Sequence, residues 1–212
     1  MKKVLSIVLS IAMVVCLAPT MAFAATTSAQ ADAAYSDTKG TACEGAVNVL
    51  SALGVVDGFT DGTYKPEQVV TRAQMAKLIV TALGVADYAS AKTSKFTDMS
   101  AATWAIPYVE YASNLNIVNG VGNGKFNPNG LVTYEQAVTM IVRALGYTDQ
   151  CKEMNGTWPA IYVQKGMALG IFEDVVNGGA NGANRGDIAI MLFNAIDLPE
   201  VYADGDGATQ YK

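Results

Sequence analysis

The chain has no histidine among its 212 residues. That absence removes Ser-His-Asp and Cys-His nucleophilic catalysis, and every histidine-based metal site, in one step. Cysteine is scarce as well, with only Cys16, Cys43 and Cys151. Charged residues make up 16% of the chain, and acidic groups outnumber basic ones 19 to 14. Such a balance does not favour nucleic acid, nor nonspecific adsorption to anionic surfaces. A glycan hydrolase would need two carboxylates facing each other across a cleft. No carboxylate pair recurs at suitable places, so neither an enzyme nor a cofactor site is expected.

Long apolar runs are missing outside the N-terminus. There, Lys2-Lys3, the apolar stretch Val4 to Leu17 and the A-x-A site Ala22-Phe23-Ala24 form a secretory signal peptide over residues 1–24. Its apolar stretch is too short to span a membrane comfortably, and no other transmembrane candidate follows. Cys16 lies behind Met13-Val14-Val15, a poor context for lipid attachment. Two of the 14 basic residues belong to this segment, so 12 remain against 19 acidic ones, a net charge of −7. Cys43 and Cys151 are then either two unpaired small residues or one disulfide. In the loop-entropy view a disulfide would add roughly 4–5 kcal/mol. Residues 25–34 are small and polar and read as a flexible leader.

What the chain has in abundance is repetition. Gly58-Phe59-Thr60-Asp61-Gly62-Thr63-Tyr64-Lys65-Pro66 returns as Gly120-Val121-Gly122-Asn123-Gly124-Lys125-Phe126-Asn127-Pro128, 62 positions later. Each copy runs into a helix start, Thr71-Arg72-Ala73-Gln74 and Thr133-Tyr134-Glu135-Gln136, with an eroded third at Asn184-Arg185-Gly186-Asp187. Thr at the N-cap with Gln three residues on is a capping box. Upstream, an aromatic-Ser/Thr-Asp triplet opens each unit: Tyr35-Ser36-Asp37, Phe96-Thr97-Asp98 and Tyr147-Thr148-Asp149. A first helix then ends at Leu53, Leu115 or Leu169, followed by Gly54, Asn116 or Gly170, residues that suit a helix C-terminus.

The second helices align without a gap. Met75, Ala76, Leu78, Ile79, Ala82 and Leu83 correspond to Ala137, Val138, Met140, Ile141, Ala144 and Leu145, then to Ile188, Ala189, Met191, Leu192, Ala195 and Ile196. That spacing puts each set on one helical face. One unit is too small to bury its own stripe, so three should fold together. The expected fold is all-α: three helix-turn-helix repeats over 35–95, 96–146 and 147–198 in a pseudo-threefold bundle, with short extended turns. Residues 199–212 read as a solvated tail.

Several side chains are candidates for a site. Arg72 and Arg185 sit at the first helical position, where a cation opposes the helix dipole at a cost of roughly 0.3–1 kcal/mol. Either they are solvated or paired to Asp37 or Asp98, or they turn the unpaired N–H groups of the helix N-terminus into a carboxylate or phosphate site. Trp104 and Trp158 each lie 11 residues before the leucine that ends their helix, and Ala42 takes that place in the first unit. They are packing anchors, or flat faces for stacking on a sugar ring. Gly58-Phe59-Thr60-Asp61-Gly62 mimics part of a calcium loop counted from Asp57. Phe59 and Gln68, however, fall where oxygen ligands and a bidentate Glu are needed, and in the copy from Asn119 the last place is Gly130. The glycines instead suit turns with positive φ.

The ordered set aromatic-x-Asp, Trp-Ala, Leu-Gly-Ile/Val, Gly-x-x-Asp-Gly-x-aromatic-x-Pro and Thr-Arg-Ala-Glu resembles the S-layer homology (SLH) domain of bacterial cell-surface proteins. The resemblance runs from residue 35 to about 198. It implies a secreted, noncatalytic anchor at the cell wall or S-layer surface. Grooves between repeats would bind a secondary cell-wall polymer noncovalently, often an acidic glycan carrying ketal-linked pyruvate. Other surface-layer proteins are the alternative partner, docked through apolar exits and tryptophan faces. Carried over, the motif arginine falls on Arg72 and Arg185. Trp104, Trp158, Asp37, Asp98, Gly58, Gly120 and Tyr134 complete the candidate ligand-binding set. Gln74 and Asp187 stand where the motif has Glu, and Tyr134 where it has Arg, so the Tyr134 groove is expected to be weak or altered.

Overall fold

The computed structural model describes residues 33–176 and 182–212; the signal peptide and most of the leader lie outside them. Among the described residues there are six α-helices. They are α1 (Glu44–Ala52), α2 (Arg72–Ala82), α3 (Ile106–Asn114), α4 (Tyr134–Ala144), α5 (Ala160–Ala168) and α6 (Arg185–Ile196). A 3-10 segment, Met99–Ala105, leads into α3.

The helix ends follow the sequence signals. Thr71 and Thr133 both form complete capping boxes with Gln74 and Gln136. Asn184 accepts from the Asp187 N–H at 2.8 Å without the reciprocal bond. The first helices stop at Leu53, Leu115 and Leu169, and Gly54, Asn116 and Gly170 then turn left-handed with φ of 69°, 57° and 72°. Only glycine, or asparagine at a smaller cost than most residues, takes that conformation readily.

Packing is staggered along the chain. α3 lies against α2, α5 against α4, and α1 against α6, while α4 also contacts both α2 and α6. A first helix therefore covers the second helix that precedes it, and the earliest helix covers the last. The C-terminal turns of α2, α4 and α6 meet around a small apolar pocket lined by Ile79, Ala82, Ile141, Ala144, Leu192 and Ala195, among others. Just before the three N-caps, the backbone closes a ring. Val70 N–H donates to Ala183 O (3.0 Å), Ala183 N–H to Val132 O (2.7 Å), and Val132 N–H back to Val70 O (3.0 Å). All three residues are buried, so each bond satisfies polar groups that water cannot reach.

Two expectations need correction. Residues 199–212 are not a solvated tail: β1 (Val201–Ala203) pairs antiparallel with β2 (Thr209–Tyr211). Val201 is buried and its N–H donates to Leu145 O at 2.8 Å, so the hairpin is fastened to the end of α4. Leu78, placed on the apolar stripe, is only half-buried and lines a surface groove, while Ala73 and Val80 join the core instead. Cys43 and Cys151 are both buried and unpaired. Burial pushes the Cys43 thiol above its ordinary value.

Candidate functional site

The opening triplets and glycine turns form one structural unit. Asp37 accepts from the N–H groups of Tyr64 (2.7 Å) and Lys65 (2.8 Å), and Asp98 from those of Phe126 (2.9 Å) and Asn127 (2.8 Å). The aromatic of each triplet packs on the aromatic of the turn, Tyr35 on Tyr64 with centroids 5.6 Å apart and Phe96 on Phe126 at 5.4 Å. Gly58 and Gly120 are required here by space and not by a positive φ. A Cβ on Gly58 would lie 2.0 Å from the Tyr35 ring; one on Gly120 would lie 2.7 Å from the Lys125 carbonyl oxygen. The positive φ angles of the turns fall on Gly62, Gly122 and Gly124, and also on Lys65, Asn123 and Asn127.

Each arginine reaches into a turn far away in sequence. Arg72 donates through Nε to Phe126 O (2.8 Å) and through Nη2 to Asn119 O (2.7 Å). Arg185 repeats this on Tyr64 O (2.8 Å) and Asp57 O (2.7 Å). Each guanidinium also stacks on the turn aromatic, Arg72 4.6 Å from the Phe126 centroid and Arg185 4.3 Å from that of Tyr64. Three flat groups thus pack in order, triplet aromatic, turn aromatic, arginine, with the two rings tilted by 34° and 42°. Among the described residues neither arginine has a carboxylate within ion-pair distance. Burial pushes the Arg72 guanidinium below its ordinary value, opposed by the charge of Asp98.

The helix N-termini do not present free N–H groups. Arg72 N–H donates to Gly130 O (2.9 Å) and Ala73 N–H to Pro128 O (3.0 Å); Arg185 and Gly186 do the same to Gln68 O and Pro66 O, both at 2.9 Å. The orphan donors of α2 and α6 hold the distant turn, so an anion at these places must be taken by side chains.

Two grooves open beside the arginines. One, of about 220 Å³, is lined by Arg185, Asp57, Gln74, Lys77, Leu78 and Trp104 among others. The second, of about 260 Å³, has the matching residues Arg72, Asn119, Gln136, Thr139, Met140 and Trp158, together with Gly120 and Arg143. Both tryptophans are about half exposed, at 51% and 55%. The structure therefore unites Arg185 with Trp104 and Arg72 with Trp158. Asp37, Asp98 and Gly58 support the turns behind the grooves and do not line them. Gln74, Lys77, Leu78 and Thr81, at i, i+3, i+4 and i+7, form a second stripe of α2; the sequence reading gave Gln74 to the cap and Leu78 to the core, and passed over Lys77 and Thr81.

The third arginine place differs. Tyr134 is buried at the start of α4, and its hydroxyl donates to the Asp187 carboxylate of α6. The third triplet also departs from the others. Asp149 accepts from the Tyr162 hydroxyl (2.5 Å) and lies 3.9 Å from the Arg143 guanidinium. Residues 177–181, in the place of the third glycine turn, lie outside the described residues.

A family model for the S-layer homology domain matches residues 34–76 and 95–138. Over 204 residues the chain is 40% identical to the middle cell wall protein of Brevibacillus brevis, covering 94% of this chain and 19% of that protein. It is 38% identical to the surface layer protein of Brevibacillus choshinensis, over 93% of this chain and 17% of the relative. With the cell surface protein of Thermoanaerobacter kivui it shares 36% identity, over 97% and 26% respectively. The chain thus spans about a quarter or less of the length of these relatives.

Proposed function

We propose that this chain, which carries S-layer homology domains at 34–76 and 95–138, is a secreted, noncatalytic module at the bacterial cell surface that anchors to the wall by binding an acidic secondary polysaccharide. Residues 147–198 act as a third repeat, and the three close on one another about a pseudo-threefold axis. The staggered helix packing and the ring through Val70, Val132 and Ala183 support that arrangement.

One observation carries the ligand assignment. Arg72 and Arg185 are held by carbonyl oxygens and ring faces alone, with no carboxylate to balance them among the described residues. A guanidinium with neutral partners keeps its full charge for an incoming anion. It does so beside a half-exposed tryptophan in each groove, the pairing that suits a sugar ring bearing a carboxylate, pyruvate ketals included. These local sites work against the acidic charge of the molecule as a whole. At the third position Tyr134 is neutral and engaged with Asp187, so two grooves bind and the third serves as a contact between α4 and α6.

Cosedimentation with purified cell-wall sacculi, before and after chemical removal of the secondary polymer, tests this reading. Binding should vanish with the polymer and saturate at two sites per chain. The double variant Arg72→Gln/Arg185→Gln should lose binding at least tenfold while keeping its helical circular dichroism. Because each arginine also bridges two carbonyls, each change should cost about 1–3 kcal/mol of stability. Undiminished binding to polymer-free sacculi would favour docking on a surface-layer protein instead.

A further inference from the structure

The groove of Arg72 does not end at Trp158. Beside that ring lies a second recess of about 460 Å³, lined by Asp149, Gln150, Lys152, Asn155 and Tyr162 among others. The two spaces share Trp158 and Arg143 as a common wall. That wall is fixed. Trp158 donates through Nε1 to Thr139 Oγ1 at 3.1 Å. Arg143 donates through Nε to Tyr162 Oη at 3.0 Å and lies 4.8 Å from the Tyr162 ring centroid. With its amide turned to satisfy both neighbours, Asn119 accepts from Arg143 Nη1 at 3.1 Å. The outer rim is held too, because Lys152 N–H donates to Gly207 O of the C-terminal hairpin at 2.8 Å and Glu153 bonds Lys165 and Thr209.

The chemistry of the recess differs from that of the first groove. Here the arginine does have a carboxylate neighbour, the exposed Asp149, 3.9 Å from its guanidinium. Around it stand exposed amides, one acidic and one basic side chain, and one face of an indole. Amides and carboxylates beside an aromatic face suit neutral hydroxyl groups, which both donate and accept. The position matching Arg143 in the other groove is Thr81, so this wall belongs to the Arg72 groove alone.

We infer that this recess is an extended subsite for an uncharged sugar unit, the neighbour along the polymer of the acidic unit held at Arg72, with Trp158 as the partition between them. The inference rests on the glycan-binding reading above. It makes the two grooves unequal: the Arg72 groove reads at least two consecutive units of the polymer, of which the second is neutral.

The test uses the mature protein carrying Arg185→Gln, so that one groove reports. Fragments of the secondary wall polymer, released enzymatically and separated by length, are titrated calorimetrically. Fragments of two or more units should bind about tenfold more tightly than the single acidic unit, the scale expected for a few added polar contacts and a stacked face. Gln150→Ala with Asn155→Ala, both on the exposed rim, should erase that gain and leave the single-unit affinity unchanged. A gain with length that survives both substitutions, or no gain at all, overturns the subsite while wall binding stands. A protein that binds no fragment of any length overturns the glycan reading itself, and the subsite with it.

Discussion

Asp98 lies behind the groove and does its work on the backbone. Burial alone would raise its carboxyl, but the N–H groups of Phe126 and Asn127 outweigh that and hold it below its ordinary value. A carboxylate depressed in the folded state contributes stability that is present above about pH 4 and lost as the pH falls through the folded-state value. Asp98→Asn keeps the shape but turns a donor toward a donor. It should cost about 1–3 kcal/mol near neutral pH, and the gap from the parent should narrow below about pH 3. Urea denaturation at the two pH values measures this, and a gap of equal size at both would refute the account. The aromatic-x-Asp triplet was legible as a recurring motif, yet its job was not. Nothing in the sequence says that the Asp37 and Asp98 oxygens face turns 27 to 29 residues downstream.

At the scale of the element, the second helices were the easiest to read. Their caps combine a side-chain preference and a periodic stripe, both local in sequence. Thr71→Ala and Thr133→Ala should each lower stability by about 1 kcal/mol, seen as a shift of the thermal midpoint. Thr71→Ser, which keeps the cap oxygen, should stay near the parent value. Equal losses for Ala and Ser would show that the methyl group matters and the cap does not. What escaped the sequence was the fate of the helix N-terminal donors. Arg72 and Ala73 give their N–H groups to carbonyls at 130 and 128, and backbone pairing over such distances has no side-chain signature. The hairpin is a different case, because its signal was present. Val201-Tyr202-Ala203 and Thr209-Gln210-Tyr211 flank a turn rich in Asp and Gly, the pattern of two short strands.

Over the whole molecule the governing fact is closure. α1 has its main helical contact with α6, and the buried ring needs Ala183 as much as Val70. Stability is therefore shared around a circuit and is not a sum of separate repeats. Truncation before residue 182 should abolish the cooperative urea transition of the entire chain, including residues 44–82. A single sharp transition retained by the shortened protein would show the first two pairs of helices to be self-sufficient. The helical class and two of the repeats were legible from the sequence, since equal apolar stripes demand mutual burial. Which helix covers which was not, because a stripe states that a face is buried but not against whom.

Closure also sets an order of events in time. A chain that crosses a membrane from its N-terminus presents α1 well before α6, which follows about 130 residues later by sequence. Until α6 arrives, the apolar face of α1 has no partner and the ring lacks its third bond. The fold cannot be completed early, on the wrong side of a translocation channel. It locks only when α6 has passed through.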